Sequence, residues 1–168
     1  MTITRITKDI AMPVVYVFRK FTDIERSAAN VSAIKKIEML TSGGFGVGVR
    51  WRETREVLGR LDDAVMEVTS FDRNRMYTIR HYKAGVRIDA TFRFKPVPGA
   101  TRVTVEYELG SDTVATGLLA PIAWAIRREV AEVLDRDLAD LKQTLEYQRC
   151  SLNTDGAAWG SALRDGDC

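Results

Sequence analysis

The hydrophobic period of this chain switches near residue 110, and that switch limits the folds open to it. From residue 49 up to it, apolar residues tend to fall at every second position. Val86, Ile88, Ala90, Phe92 and Phe94 alternate without exception with Arg87, Asp89, Thr91, Arg93 and Lys95. A period of two belongs to a strand with one wet and one buried face, the habit of antiparallel sheets. After the change, Ile126, Val130, Leu134, Leu138, Leu141 and Leu145 recur at three- and four-residue spacing. That is the apolar stripe of a long helix, expected over residues 114–147. Pro121 marks a kink in it or its true start. A helix with one apolar stripe, beside a sheet with one apolar face, is expected to cover that sheet.

The remaining segments fill in the order of elements. Residues 2–10 alternate and are expected to form a first strand. Pro13 suits the first turn of a short helix carrying Val14, Val17, Phe18 and Phe21. Asp23 is placed to cap a second short helix that runs to Asn30. Residues 33–40 return to strand. The glycines at 43, 44, 46 and 48 invite a nucleotide-loop reading, but the spacing is not GxGxxG and no Lys-Ser or Lys-Thr follows. They are expected to be a turn between strands. Five more strands follow, separated by polar or glycine turns at 59–60, 72–75, 84–85 and 96–100. The predicted order is β-α-α-β-β-β-β-β-β-α, an α+β architecture with about seven antiparallel strands curved around a long C-terminal helix and a cavity between them.

Composition removes several chemistries. The 168 residues suit one domain, expected over 1–147. Residues 148–168 are rich in Ser, Asn, Asp, Gly and Ala and are expected to form a flexible tail, unless Trp159 docks it on the domain. Cys150 and Cys168 are the only cysteines and His81 the only histidine. No CxxC or zinc-spaced cluster exists, so no metal or cofactor is expected. No apolar run is long enough to span a membrane. The N-terminal residues lack the apolar core of a secretory signal, which makes the cytoplasm the expected setting. Lys and Arg exceed Asp and Glu by only two, so net charge says little about partners.

At this point the sequence resembles a known family. The element order is similar to the helix-grip fold of the START-like and polyketide cyclase/dehydratase superfamily, SRPBCC. Phe21-Thr-Asp-Ile-Glu25 is similar to its junction between the two short helices. Phe45-Gly-Val-Gly-Val-Arg-Trp-Arg-Glu-Thr-Arg55 resembles the glycine turn and third strand of its actinobacterial-type members. Glu67-Val-Thr-Ser-Phe-Asp72, Gly99-Ala-Thr-Arg-Val-Thr104 and Asp137-Leu-Ala-Asp-Leu-Lys142 are similar to the next strand and turn, the start of the last strand and the close of the long helix. The resemblance spans about residues 3–147. Many members carry Pro and Trp after the second helix, where this chain has Ser27-Ala-Ala-Asn30. The family shares no catalytic residue, so none is carried over.

The resemblance implies a small apolar or aromatic ligand, such as a lipid, quinone or polyketide-like compound, held between sheet and helix. Cavities of this kind combine apolar walls with a few convergent polar groups. The inward faces of the strands would supply Trp51, Glu53, Arg55, Tyr77, Ile88, Phe92, Val105 and Tyr107 as ligand contacts. Glu53 and His81 are the candidate catalytic residues if the protein is a cyclase or dehydratase. Either would act as a general base on an acidic C–H, with Tyr107 or Arg55 stabilising an enolate. The plainer alternative pairs Glu53 with Arg55 at a sheet edge and leaves His81 exposed. A third reading rests on seven Lys or Arg against two Asp in residues 72–95, a basic sheet face that would meet RNA, an anionic membrane or an acidic partner. The aromatic residues there alternate away from the basic ones, so nucleic acid is not the expected partner. Monomer and homodimer are both open.

Overall fold

A computed structural model describes residues 3–57, 59–83, 85–110 and 120–156. Seven strands form one antiparallel sheet: β1 (Ile3–Ile10), β2 (Ile34–Met39), β3 (Arg50–Val57), β4 (Arg60–Asp72), β5 (Met76–Lys83), β6 (Val86–Val97) and β7 (Ala100–Gly110). Their spatial order is β1-β7-β6-β5-β4-β3-β2, so β1 and β2 are the two edges. Helix α1 (Val14–Thr22) and a 3-10 helix (Ile24–Ala29) carry the chain from one edge to the other. Helix α2 (Ala120–Gly156) returns across the concave face. This is the helix-grip fold.

The alternation read from β6 holds in space. Val86, Ile88, Ala90 and Phe94 are buried, while Arg93 and Lys95 are exposed. Sheet curvature has a local cause. The registers of β2 with β3 and of β4 with β5 each shift by one residue, at Ile34/Lys36 and Val68/Ser70. Such bulges bend a strand and increase its twist. The core lies between the bend and the helices. Phe18 and Phe21 of α1 meet Phe94 edge-on at 5.1 and 5.3 Å, the arrangement ring quadrupoles favour. Leu138 and Leu145 of α2 are fully buried in the same cluster.

The glycine segment before β3 is a loop between strands, as its spacing predicts. Gly48 has φ +87° and donates its N–H to the Val68 carbonyl at 2.8 Å. A side chain rarely adopts that backbone, which is why glycine stands there. The loop also delivers Phe45, which packs edge-on against Tyr77 at 5.1 Å.

Two expectations need correction. The second short helix is a 3-10 helix, and Asp23 makes no side-chain cap to it. Its carboxylate faces Arg26 at 3.5 Å, while Ser27 Oγ bonds the Ile24 carbonyl within the turn. Of the two readings of Pro121 the start holds: helix α2 runs from Ala120 with Pro121 in its first turn, where a missing N–H costs nothing. It also continues to Gly156, past the expected end at Tyr147. Polar residues do not by themselves end a helix, and Arg149 anchors this extension by donating to the Ala11 carbonyl at 3.1 Å. Trp159 and Cys168 lie outside the described residues.

Candidate functional site

A cavity of about 290 Å³ lies between the inner face of β3–β6, α2 and the 3-10 helix. Strand alternation turns Trp51, Tyr77, Ile88 and Phe92 into it. Helical spacing turns Leu134, Leu138 and Leu141 of α2 toward it from the other side. Asp63 and Tyr82, at the ends of the β3–β4 and β5–β6 hairpins, line it and are exposed, so the cavity meets solvent there.

A buried polar cluster interrupts these apolar walls. Glu53 and Arg55 stand two residues apart on β3 and so share its inward face. Arg55 Nε donates to Glu53 Oε1 at 2.7 Å, and Arg55 Nη2 donates to Asp137 Oδ2 of α2 at 2.8 Å. Trp51 Nε1 donates to Glu53 Oε2 at 3.3 Å. Glu53 is only 6% exposed, yet both its oxygens are thereby satisfied. Asp137 is not: its Oδ1 is buried and has no hydrogen-bond partner among the described residues. Burial pushes the Asp137 carboxyl above the usual carboxylate range, and the Arg55 guanidinium opposes this. Burial works against the Arg55 charge, but the Asp137 and Glu53 carboxylates outweigh it and hold Arg55 more firmly protonated.

His81 lines the same cavity from β5. Burial, with the Arg55 and Lys83 cations nearby, pushes its pKa down to about 4. It is therefore a neutral imidazole near pH 7. Lys83 reaches from β5 to Asp62 of β4 at 2.9 Å and also to Glu129 of α2, tying the helix to the sheet at one end of the cavity.

Six of the eight expected ligand contacts line the cavity: Trp51, Glu53, Arg55, Tyr77, Ile88 and Phe92. Val105 and Tyr107 do not. Both are fully buried in the packed core under α2, and the Tyr107 hydroxyl donates to the Arg127 carbonyl at 2.7 Å. That bond and its place in the core set Tyr107 apart from the cavity. Glu53 and Arg55 do pair, but inside the molecule and along one strand rather than across an edge. His81 is half-buried rather than exposed. The residue that sequence reasoning passed over is Asp137. Its signal was present: it stands between Leu134, Leu138 and Leu141, a carboxylate on the apolar stripe.

Several cations of the basic run on β5 and β6 are paired, two of them sharing one carboxylate. Arg80 and Arg87 both reach Asp89, at 2.7 and 3.1 Å, and Arg93 reaches Glu106 at 3.0 Å. Among the described residues no group of three or more His, Cys, Asp and Glu is placed to hold a metal ion. No described helix is long and apolar enough to cross a membrane.

Comparison with known proteins gives the same fold. A START superfamily protein from Mycobacterium smegmatis is similar with a TM-score of 0.70 and 16% identity, over 87% of this chain and 98% of that one. The Zhui aromatase/cyclase from Streptomyces sp. R1128 is similar with a TM-score of 0.67 and 18% identity, over 86% and 93%. Major latex-like protein 151 from Panax ginseng is similar with a TM-score of 0.66 and 12% identity, over 86% and 97%. No curated protein sequence matches the chain. The family described as polyketide cyclase / dehydrase and lipid transport matches residues 1–146. With that match and the shared helix-grip fold of the START-like SRPBCC superfamily, the chain belongs to the polyketide cyclase / dehydrase and lipid transport family.

Proposed function

We propose that the protein binds one small, largely apolar molecule in the cavity between sheet and α2. The observation that carries this is the cavity itself: about 290 Å³ of space walled by rings and aliphatic side chains, with its buried polar groups gathered at Glu53, Arg55 and Asp137. Ligand sites combine apolar walls with a few placed polar groups in this way, and volumes of about 300 Å³ stand at the small end of their range. A compound of two or three fused rings, or a short isoprenoid or lipid chain, suits the space. The family description and the aromatase/cyclase named among its structural neighbours support a ring system.

Binding without turnover is the favoured form of this reading. Both Glu53 oxygens are already engaged, so Glu53 is poorly placed to take a proton from a substrate. His81 is free of its proton near neutrality, but a base with a pKa of about 4 drives proton abstraction weakly.

The test uses N-phenyl-1-naphthylamine, an uncharged probe that fluoresces in apolar surroundings. Saturable uptake at one probe per protein is expected, and Ala64→Phe, which puts a ring into the cavity wall, is expected to abolish it. No uptake by the folded protein, or uptake that Ala64→Phe leaves unchanged, would overturn the proposal.

A further inference from the structure

Most polar groups on the cavity wall are already engaged. Trp51, Glu53, Arg55 and Asp137 bond to one another, and the Asp137 oxygen they leave over is sealed in. Lys83 holds Asp62 and Glu129. The Ser27 and Tyr77 hydroxyls donate to the Ile24 and Phe21 carbonyls. Asp63 and Tyr82 stand exposed at the mouth. That leaves His81, whose imidazole makes no hydrogen bond or ion pair among the described residues.

Its nitrogens are within reach of another molecule. Among the described residues, the buried polar atoms without a partner belong to Glu108, Arg127 and Asp137, so both His81 nitrogens keep accessible surface. Strand geometry says where that surface faces. Tyr77, Ile79 and His81 alternate along β5 and all three line the cavity, while Thr78 and Arg80 between them do not. His81 also stands opposite Ile88 of β6, which is fully buried and lines the same cavity. An unengaged imidazole thus projects from an apolar wall into the cavity.

Its surroundings select what it can meet. Near pH 7 the imidazole is neutral and offers one N–H and one lone pair. Of the charges that act on it, the Arg55 and Lys83 cations outweigh the Asp62 and Asp89 carboxylates. A positive surrounding favours an electron-rich ligand atom over a hydroxyl hydrogen. A carbonyl oxygen is such an atom, and it accepts the N–H without bringing a charge into the cavity.

From this geometry we infer that His81 is a specificity-determining residue of the cavity: its N–H donates to a carbonyl oxygen of an otherwise apolar ligand and fixes which way round that ligand lies. This rests on the cavity being a ligand site, as proposed above.

The test uses two probes of one shape on the full chain at pH 7: 2-acetylnaphthalene, and 2-isopropylnaphthalene, in which a methyl replaces the carbonyl oxygen. Affinities are read by displacement of N-phenyl-1-naphthylamine. The hydrocarbon is the more apolar of the two, so the deciding quantity is how the ketone-to-hydrocarbon affinity ratio changes on substitution. His81→Phe is expected to lower that ratio about fivefold, and His81→Gln, which keeps an N–H donor, to lower it less. A ratio that His81→Phe leaves unchanged would overturn the inference. His81 is the only histidine of the chain, so NMR of the nitrogen-15-labelled wild type reads its ring nitrogens without ambiguity. The ketone is expected to move the protonated nitrogen downfield, as an N–H drawn into a hydrogen bond does, and the hydrocarbon is not. That measurement decides the matter even if the variants do not fold. A bound ketone that leaves this nitrogen where the hydrocarbon leaves it would refute the role of His81, with the cavity still a ligand site. If neither probe nor N-phenyl-1-naphthylamine binds, the cavity reading falls and takes the role of His81 with it.

Discussion

At the scale of single residues, Arg55 holds two buried carboxylates in place, and its loss is expected to be felt more than any surface charge. Removing one partner from a buried ionic cluster leaves uncompensated charge, which costs about 3–5 kcal/mol. Arg55→Met keeps much of the volume and is expected to destabilise the fold by about that amount in urea unfolding. Arg102→Met is the control, because its pair with Asp9 is half exposed and solvent screens such pairs, so little change in stability is expected. Equal effects of the two substitutions would contradict the account of the cluster. His81 makes a separate prediction. In the unfolded chain it takes a proton near pH 6.5, but in the folded protein only near pH 4. Between those values the unfolded state holds more protons, so stability falls as pH falls through that window. The loss is about 3 kcal/mol at most. Asp137, raised rather than lowered by burial, works in the opposite direction, so the comparison with a variant is what isolates the histidine. His81→Phe is expected to flatten the decline between pH 6.5 and 4, measured by thermal unfolding across that range. A slope unchanged by the substitution would show that His81 is not buried as described.

At the scale of elements, backbone and packing make their own demands. Gly48 has φ +87° with nothing within 4 Å of where a Cβ would sit, so Gly48→Ala meets strain and not a clash. A cost of about 1 kcal/mol is expected in thermal unfolding. Leu138 is 1% exposed, and Leu138→Ala is expected to cost about 2–5 kcal/mol by the cavity it leaves. The strands were legible because alternation is a direct record of which side of a sheet is dry. That same alternation placed Trp51, Glu53 and Arg55 on one inward face. It does not say which part of an inward face borders a cavity and which part is packed solid. Val105 and Tyr107 share the dryness of Ile88 but sit where α2 closes on the sheet, and only three-dimensional packing separates them. Asp137 was missed for a related reason. A helical stripe is recognised by its apolar members, and a charge within it is passed over unless its partner is known. That partner, Arg55, is 82 residues away in sequence. The end of α2 was misplaced because polar residues after Tyr147 weaken a stripe without ending a helix.

At the scale of the molecule, the fold joins a closed apolar core at one side to an unfilled apolar cavity at the other. Phe18, Phe94 and Leu145 belong to the first, and Trp51, Phe92 and Leu134 border the second. Lys83 holds α2 against β4 and β5 beside the cavity, with Asp62 and Glu129 as its partners. Lys83→Met is expected to loosen that end of the helix, read as faster amide exchange around Glu129, while the Phe18 cluster stays protected. Exchange that is unchanged near Glu129 would mean that packing alone holds the helix there. The central claim is that the cavity exists to be filled by a small, largely apolar molecule. Its most direct test is native mass spectrometry of the protein purified from its own host, followed by organic extraction of whatever is bound. The account expects one adduct of a single defined mass, at one per chain, that is largely apolar and is lost in Ala64→Phe. A protein that is always empty, and that also refuses N-phenyl-1-naphthylamine, would contradict it.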